Sequence, residues 1–276
     1  SFALGSIAGS ACLGMLIPPS VLLIVWGIIT EDSIGKLFVA GVIPGILLAI
    51  LFASYNFIKA TMDPSIAPEP DKVGNVSKLT KTEYYSGFSI IALIFLVLGG
   101  IWGGIFTATE AAGMGAIASF IIALFKGMRL KGVVESIIDA GKTSAPIMIL
   151  LITAGMYSRF LSLSDINTII IDAISSVGMN EFSVLLMMVL IWLVLGMLLD
   201  SISIILLTVP LFIHLVPDVN PYAFAIFGIL AIEAGLLTPP FGLIVYTVKG
   251  VLTGSNDDVS LGTIFKGSIP YWIMML

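Results

Sequence analysis

The sequence predicts an all-helical protein that crosses a membrane several times. Of its 276 residues, 58% are hydrophobic and 11% are charged, and the mean hydropathy is +1.14. A soluble domain carries about 25% charged residues, so this chain cannot cover its surface with polar groups. Apolar stretches at 37–58, 84–105 and 182–199 fall within the roughly 17–25 residues that a spanning helix needs. They lack the alternation of a membrane β-barrel, so helices are the remaining way to satisfy the backbone in lipid.

Charge and cysteine content exclude several classes of partner and site. The formal net charge is −5 and no basic patch suggests nucleic-acid binding, so we expect the lipid bilayer and not a nucleic acid as partner. Cys12 is the single cysteine, which excludes an internal disulfide and a cysteine-based metal cluster. His214 is the single histidine and leaves no histidine pair for zinc.

Polar stretches divide the chain into four segments. Residues 1–58 contain a broken apolar helix and the helix that follows it, and 59–83 form a polar loop with three prolines and eight charges. Residues 84–180 supply connecting helices, and 181–276 are predicted to hold a hairpin, a second broken helix and a final helix.

A basic stretch at 126–142 interrupts the connecting segment. Its middle has a helical apolar pattern, which favours a helix lying at the membrane interface. If 84–105 and 108–125 are separate spans, this stretch and the 59–83 loop share one side of the membrane. Their lysines predict that this side is cytoplasmic.

An internal repeat relates the first and last segments. Gly14 and Gly235 each begin a G-x-x-x-P-P sequence, and a polar turn follows each break, at Thr30–Ser33 and at Gly254–Ser260. The series then continues in both copies with h-G-x-h-F and G-x-I-P, where h is an apolar residue. Repeats with interrupted helices at matching positions are typical of secondary transporters, whose sites lie where the helices break.

The Pro-Pro breaks predict exposed backbone oxygens. A proline has no N–H, so the carbonyl four residues before it loses its helical partner, and in lipid such a group costs several kcal/mol unless it is satisfied. Carbonyls beside hydroxyls suit a sodium ion, although a packing kink satisfied by Ser or Thr is the alternative interpretation. The candidate sodium residues at the two breaks are Gly14, Ser20, Gly235 and Thr238.

A third polar group interrupts the apolar run at 195–210. Asp200, Ser201 and Ser203 would lie at the tip of a hairpin that enters the membrane halfway and returns. Small hydroxyls and turn N–H groups there could bind a substrate carboxylate or complete an ion site. The alternative is a short loop between two full spans, with Asp200 solvated.

Two acidic residues fall within apolar segments. Glu233 lies two residues before Gly235, where it could polarise the break or pair with a cation. Glu110 follows Thr109, and we expect a helix N-terminus there with Thr109 as its cap.

Five motifs together resemble the large membrane subunit (DctM type) of tripartite ATP-independent periplasmic, or TRAP, transporters. They are "LGMLIPPS", "SIGKLFVAGVIPG", "GGIFTATEAA", "LGMLLDSISIILLTVPLF" and "EAGLLTPPFGL". Ala108 is a departure, since the family usually has Thr-Pro-Thr-Glu there. The resemblance also leads us to expect a first re-entrant hairpin before Ser1.

The resemblance implies an ion-transporter-type fold with inverted repeats, re-entrant hairpins and a transport domain that moves as an elevator. It implies sodium-coupled uptake of an organic anion, such as a C4-dicarboxylate or sialic acid, across the bacterial inner membrane. A periplasmic substrate-binding protein and a small, DctQ-like membrane subunit would be the partners.

Carried onto this chain, the resemblance places one ion site between the hairpin tip at 200–203 and the second break at 235–238. The first break, from Gly14 to Ser20, would supply half of a second ion site. The sodium residues would be Gly14, Ile17, Ser20, Ser201, Ser203, Gly235 and Thr238. The substrate residues would be Asp200, Ser201 and Pro239.

Two alternatives stay open from the sequence. A stand-alone sodium–dicarboxylate symporter of the same superfamily would share the breaks and need no binding protein. An intramembrane protease would use Asp200 or Ser201 as its catalyst, but neither lies in a Gly-x-Gly-Asp or Gly-x-Ser-x-Gly context.

Overall fold

The structure, a computed structural model, describes residues 2–66, 80–252 and 259–276. Within these ranges the regular elements are thirteen α-helices and two short 3₁₀ turns, at Pro64–Ile66 and Ile213–Leu215. The helices are α1 (Phe2–Ala11), α2 (Leu13–Leu16), α3 (Val21–Thr30), α4 (Ile34–Met62), α5 (Lys81–Trp102), α6 (Ala108–Phe125), α7 (Leu130–Leu163), α8 (Ile166–Ser176), α9 (Glu181–Gly196), α10 (Ser201–Phe212), α11 (Pro221–Leu237), α12 (Leu243–Leu252) and α13 (Leu261–Met275). Most of the predicted 59–83 loop and of the Gly254–Ser260 turn lies outside the described residues.

Several of these helices are long and apolar enough to cross a membrane. Four qualify singly, namely α4, α5, α6 and α7. Two further sets of helices qualify only when they are joined across a sharp bend, as a broken span or a re-entrant loop: α1 and α2 with α3, and α8 with α9. The prediction of an all-helical protein with several membrane spans is therefore confirmed.

The chain forms two compact units. The first unit combines Ser1–Asp63 with Leu150–Leu276, and it contains both Pro-Pro breaks. In it α1 packs on α13, α3 on α10, and α9 on α11. Its core includes the fully buried rings of Trp26 and Trp192, which meet Phe224 of α11 with ring centroids 5.6 and 5.8 Å away. Aromatic contacts of this kind stabilise a core beyond the area they bury.

The second unit comprises Pro64–Ile149, where α5 packs on α6. A capping box starts α6: the Thr107 hydroxyl accepts from the Glu110 N–H, and Glu110 Oε2 accepts from the Thr107 N–H at 2.8 Å. The predicted cap at Thr109 is wrong, because the reciprocal bonds of a capping box need the acid three positions after the cap, and Glu110 directly follows Thr109.

The basic stretch at 126–142 does not form a separate interfacial helix. Lys126 and Gly127 follow the end of α6, and α7 then runs without interruption from Leu130 to Leu163. Gly132, Gly141 and Pro146, which could have ended a helix here, all lie within α7.

Candidate functional site

The α9–α10 pair is a helical hairpin. Trp192 Nε1 donates to Thr208 Oγ1 at 2.8 Å, and these residues lie equally far before and after Asp200, so the arms are antiparallel. At 1.5 Å per residue the 16-residue arm α9 is about 24 Å long, and α10 with its 3₁₀ turn is similar. Both are shorter than the roughly 30 Å of a bilayer core. The lengths favour a re-entrant hairpin over two full spans.

Two of the predicted tip residues bond to each other. Asp200 caps α10, with Oδ1 accepting from the Ser203 N–H at 3.1 Å and Oδ2 accepting from the Ser203 hydroxyl at 2.5 Å. Asp200 is exposed and Ser203 is half-buried. The helix cap explains both residues locally, since an N-cap side chain satisfies a backbone donor that the helix leaves free.

The third tip residue joins the hairpin to the second broken helix. The Ser201 hydroxyl donates to Glu233 Oε1 at 2.6 Å, and both side chains are buried. Glu233 is only 2% exposed, and its other oxygen, Oε2, has no hydrogen-bond partner among the described residues. Sequence reasoning singled out Glu233 as an intramembrane charge but did not pair it with Ser201, because nothing in the local pattern links residues 32 positions apart.

A glycine pair brings the same two elements into backbone contact. A Cβ on Gly235 would lie 2.9 Å from Gly196 Cα and 2.9 Å from the Trp192 carbonyl oxygen. Real Cβ atoms do not approach backbone this closely without a shift of the neighbour. Gly235 was predicted only as a candidate sodium residue, and the structure gives a packing reason for glycine at this position, the close contact of α9 with α11.

At the second break, two backbone carbonyls beside the prolines have hydrogen-bond donors. The Gly235 carbonyl accepts from the Thr238 N–H at 2.9 Å, and the Thr238 hydroxyl donates to the Ala234 carbonyl at 2.9 Å. The prediction that Pro239 leaves Gly235 without a partner is therefore wrong, because the chain turns at Thr238 and supplies another donor. A carbonyl has two lone pairs, so this oxygen keeps capacity for a further ligand. Pro239 is exposed at the turn.

At the first break one freed carbonyl is satisfied by a hydroxyl. Ser20, which is buried, donates to the Met15 carbonyl and accepts from the Leu23 N–H at 3.3 Å as the cap of α3. This matches the packing-kink interpretation for that carbonyl. Gly14 and Ile17 lie on exposed surface of this unit, and a Cβ on Gly14 would meet nothing within 4 Å.

Cys12, which precedes the first break, lies against the helix that leads to the second break. Its thiol sulfur is buried and lies 4.0 Å from the Glu233 carbonyl oxygen. The structure thus gathers Ser201 of the hairpin, Cys12 before the first break and Glu233 before the second break in one buried cluster. We refer to Cys12, Ser201 and Glu233 as the tip cluster.

A groove of about 320 Å³ lies beside the hairpin tip, between α10 and α7. Ser203 contributes a hydroxyl from the tip, and Thr153 and Tyr157 contribute hydroxyls from α7. The remaining lining is Leu150, Ala154, Leu199, Leu206 and Leu207. The α7 residues were missed by sequence reasoning, although 150, 153, 154 and 157 have the spacing of one helix face.

A comparison with protein families matches residues 1–276 to the tripartite ATP-independent periplasmic transporter, DctM component. The chain belongs to the DctM family. This confirms the resemblance predicted from the five motifs and identifies a family of transport proteins, not of enzymes.

Curated relatives of this DctM-family chain are large permease proteins. The C4-dicarboxylate TRAP transporter large permease protein DctM of Pseudomonas aeruginosa is 30% identical over the whole chain, which covers 63% of that protein. The ectoine/5-hydroxyectoine permease protein UehC of Ruegeria pomeroyi is also 30% identical, with the same coverage. The sialic acid permease protein SiaT of Haemophilus influenzae is 30% identical over 98% of the chain and 43% of its own length. The chain therefore spans under two thirds of the length of these relatives.

The protease alternative loses its support in the DctM-family chain. Asp200 is used as a helix cap, and both the family and the relatives of this chain are transport proteins.

Proposed function

We propose that the chain is the greater part of a TRAP large permease subunit that couples the uptake of an organic acid to sodium. The observation that carries this proposal is the Ser201–Glu233 hydrogen bond, which joins a hairpin tip to the end of a broken helix. Transporters place substrate and coupling ions at such helix breaks near the membrane midplane. We place the protein in the bacterial inner membrane, as the TRAP transporter type implies.

For the substrate we propose an organic acid bound beside the hairpin tip. The relatives named above carry C4-dicarboxylates, ectoine or sialic acid by their names. Tyr157 offers a hydroxyl group in the groove next to the tip, and Asp200, Ser201 and Pro239 remain the predicted contacts from the sequence. Hydroxyl groups orient an anion without fixing its identity, so different acids can share one permease architecture.

For the coupling ion we propose ligands from both breaks and from the tip. At the second break these are the Gly235 carbonyl, through its remaining lone pair, and Thr238, with Ser201 and Ser203 from the tip. At the first break we retain Gly14, Ile17 and Ser20. The buried cluster suits a hard cation, because carboxylate, hydroxyl and carbonyl oxygens are the ligands that such ions prefer.

As partners we propose a periplasmic substrate-binding protein and a small, DctQ-like membrane subunit. The tip and the two breaks belong to one compact unit, which is the part we expect to move as an elevator during transport. A stand-alone symporter is the second candidate, and membership of the DctM family favours the tripartite system over it.

The proposal is tested with the full-length permease and its small subunit in proteoliposomes, with and without the binding protein. We expect uptake of the organic acid only with the binding protein and an inward sodium gradient. Thr238→Ala should raise the sodium concentration for half-maximal uptake about tenfold. Losing a ligand that contributes about 1.4 kcal/mol of binding free energy weakens the affinity by that factor. Thr238→Ser keeps the hydroxyl and is the matched control. An unchanged sodium curve in Thr238→Ala would remove Thr238 from the site, and uptake without binding protein would favour the symporter.

A further inference from the structure

Glu233 is a buried acid whose charge is not balanced by the surrounding helices. The side chain is 2% exposed, and Ser201 bonds only one of its two oxygens. Burying a carboxylate is costly unless a counter-charge and hydrogen bonds compensate it. A second charged or polar ligand for Oε2 is therefore required if Glu233 is ionised.

The packed helices do not supply this counter-charge. In the described part of the chain, α2, α3, α9 and α10 contain no lysine or arginine. On the other helices that contact α11, Lys36, Lys59 and Lys266 are exposed, and the Lys249 ammonium donates to a backbone carbonyl at 2.6 Å. None of these forms an ion pair with Glu233.

The helix dipole at the tip compensates the charge only in part. The N-terminus of α10 is worth about half a positive charge, and its field weakens beyond the first turn. Asp200 already caps that N-terminus, and Glu233 approaches it through Ser201. Two carboxylates against half a positive charge leave an excess of negative charge around the hairpin tip, and one monovalent cation would offset the greater part of it.

We propose that Glu233, through Oε2, is the anionic ligand of the sodium ion bound where the hairpin tip meets α11. This inference rests on the proposed sodium coupling and adds to it the residue that balances the ion's charge. Ser201 holds the carboxylate in place by bonding Oε1, which leaves Oε2 for the cation. The Ser201–Glu233 bond also means that an ion at Glu233 stabilises the packing of the tip on the broken helix.

The same cluster contains a natural reporter of that packing. Cys12 is 1% exposed and its sulfur lies against the Glu233 backbone carbonyl, so a reagent can alkylate the thiol only when the cluster opens. Sodium that binds at Glu233 holds the cluster closed and protects Cys12. The protection is measured on the protein itself and needs no transport.

The experiment compares purified full-length permeases in NaCl and in KCl of equal ionic strength. Alkylation of Cys12 by a small maleimide is followed by mass spectrometry of the peptide that contains it. We expect sodium to slow the alkylation of the wild type. In Glu233→Gln the half-protecting sodium concentration should rise on the order of 10- to 100-fold, the scale on which altered ligation weakens metal sites. Glu110→Gln is the matched control, because Glu110 is an exposed capping residue of the other unit and glutamine also fits a capping box.

Each outcome decides between distinct conclusions. Glutamine has the shape of a protonated Glu233, so equal protection in wild type and Glu233→Gln would overturn the anionic-ligand assignment while leaving sodium coupling intact. Absence of sodium protection in the wild type would instead count against the proposed sodium site itself. If Glu233→Gln does not fold, Glu233→Asp keeps the charge on a shorter side chain, and an unchanged half-protecting concentration in that variant overturns the inference.

Discussion

At the scale of single residues, Gly235 combines a tight helix contact with a turn of the backbone. Its backbone touches Gly196 across the α9–α11 contact, and its carbonyl accepts a hydrogen bond from Thr238. A side chain at either glycine would push the hairpin away from the broken helix. The position of the tip cluster therefore depends on two residues that have no side chains.

We expect Gly235→Ala to destabilise the permease by about 1–3 kcal/mol, the usual range for overpacking a tight contact. The new Cβ would lie 2.9 Å from Gly196 Cα and could not be relieved by rotating a side chain. Thermal unfolding in detergent measures the loss. Gly155→Ala in α7 is the control, since no neighbouring atom lies within 4 Å of a Cβ placed on Gly155. Equal unfolding temperatures for the Gly235 variant and the wild type would show that the contact is loose.

The sequence predicted where the helices break and where the hairpin turns, but it did not predict which residues hydrogen-bond to each other there. Pro18, Pro239 and Asp200 marked the two breaks and the tip, because proline and helix-capping residues act through local backbone geometry. The pairing of Ser201 with Glu233 could not be read from the sequence, since it depends on how α10 packs in space. The hydrogen bond from the Thr238 N–H to the Gly235 carbonyl was missed for the same reason, because it forms only when the chain turns in one particular direction after Leu237.

At the scale of elements, the hairpin is held by one buried hydrogen bond and by aromatic packing. Trp192 of α9 donates to Thr208 of α10, whose own hydroxyl donates to the Ile204 carbonyl. The Trp192 ring also lies 5.3 Å from the Phe212 ring at the end of the second arm. These contacts fix the register of the two arms and so the residues that stand at the tip.

Replacing Thr208 by valine tests this arrangement, because valine keeps the shape and removes the acceptor. The buried Trp192 N–H would then lack a partner, at a cost of about 1–3 kcal/mol. We expect a lower unfolding temperature and faster hydrogen exchange at the hairpin, whereas Thr208→Ser should stay close to the wild type. Unchanged exchange in Thr208→Val would mean that packing alone holds the arms together.

At the scale of the whole molecule, the candidate site belongs to one unit. The two breaks, the hairpin and the tip cluster all lie within Ser1–Asp63 and Leu150–Leu276, and every predicted sodium residue is among them. The other unit, Pro64–Ile149, has its own packing of α5 on α6 and its own capping box. Ion binding and the stability of the second unit should therefore be separable by mutation.

This separation gives the last prediction. An ion that binds only the folded state stabilises it by RT ln(1 + [ion]/Kd), about 2.7 kcal/mol at a hundredfold excess over Kd. We expect the unfolding temperature of the full-length permease to rise in NaCl relative to KCl of equal ionic strength. Thr107→Ala removes the cap of α6 in the other unit and should cost about 1 kcal/mol in both salts. The sodium-dependent rise should survive in that variant, because Thr107 is no part of the proposed site. If Thr107→Ala abolished the sodium-dependent rise, the sodium effect would depend on the unit that lacks the proposed site. If the wild type unfolded at the same temperature in both salts, sodium binding would not stabilise the folded permease.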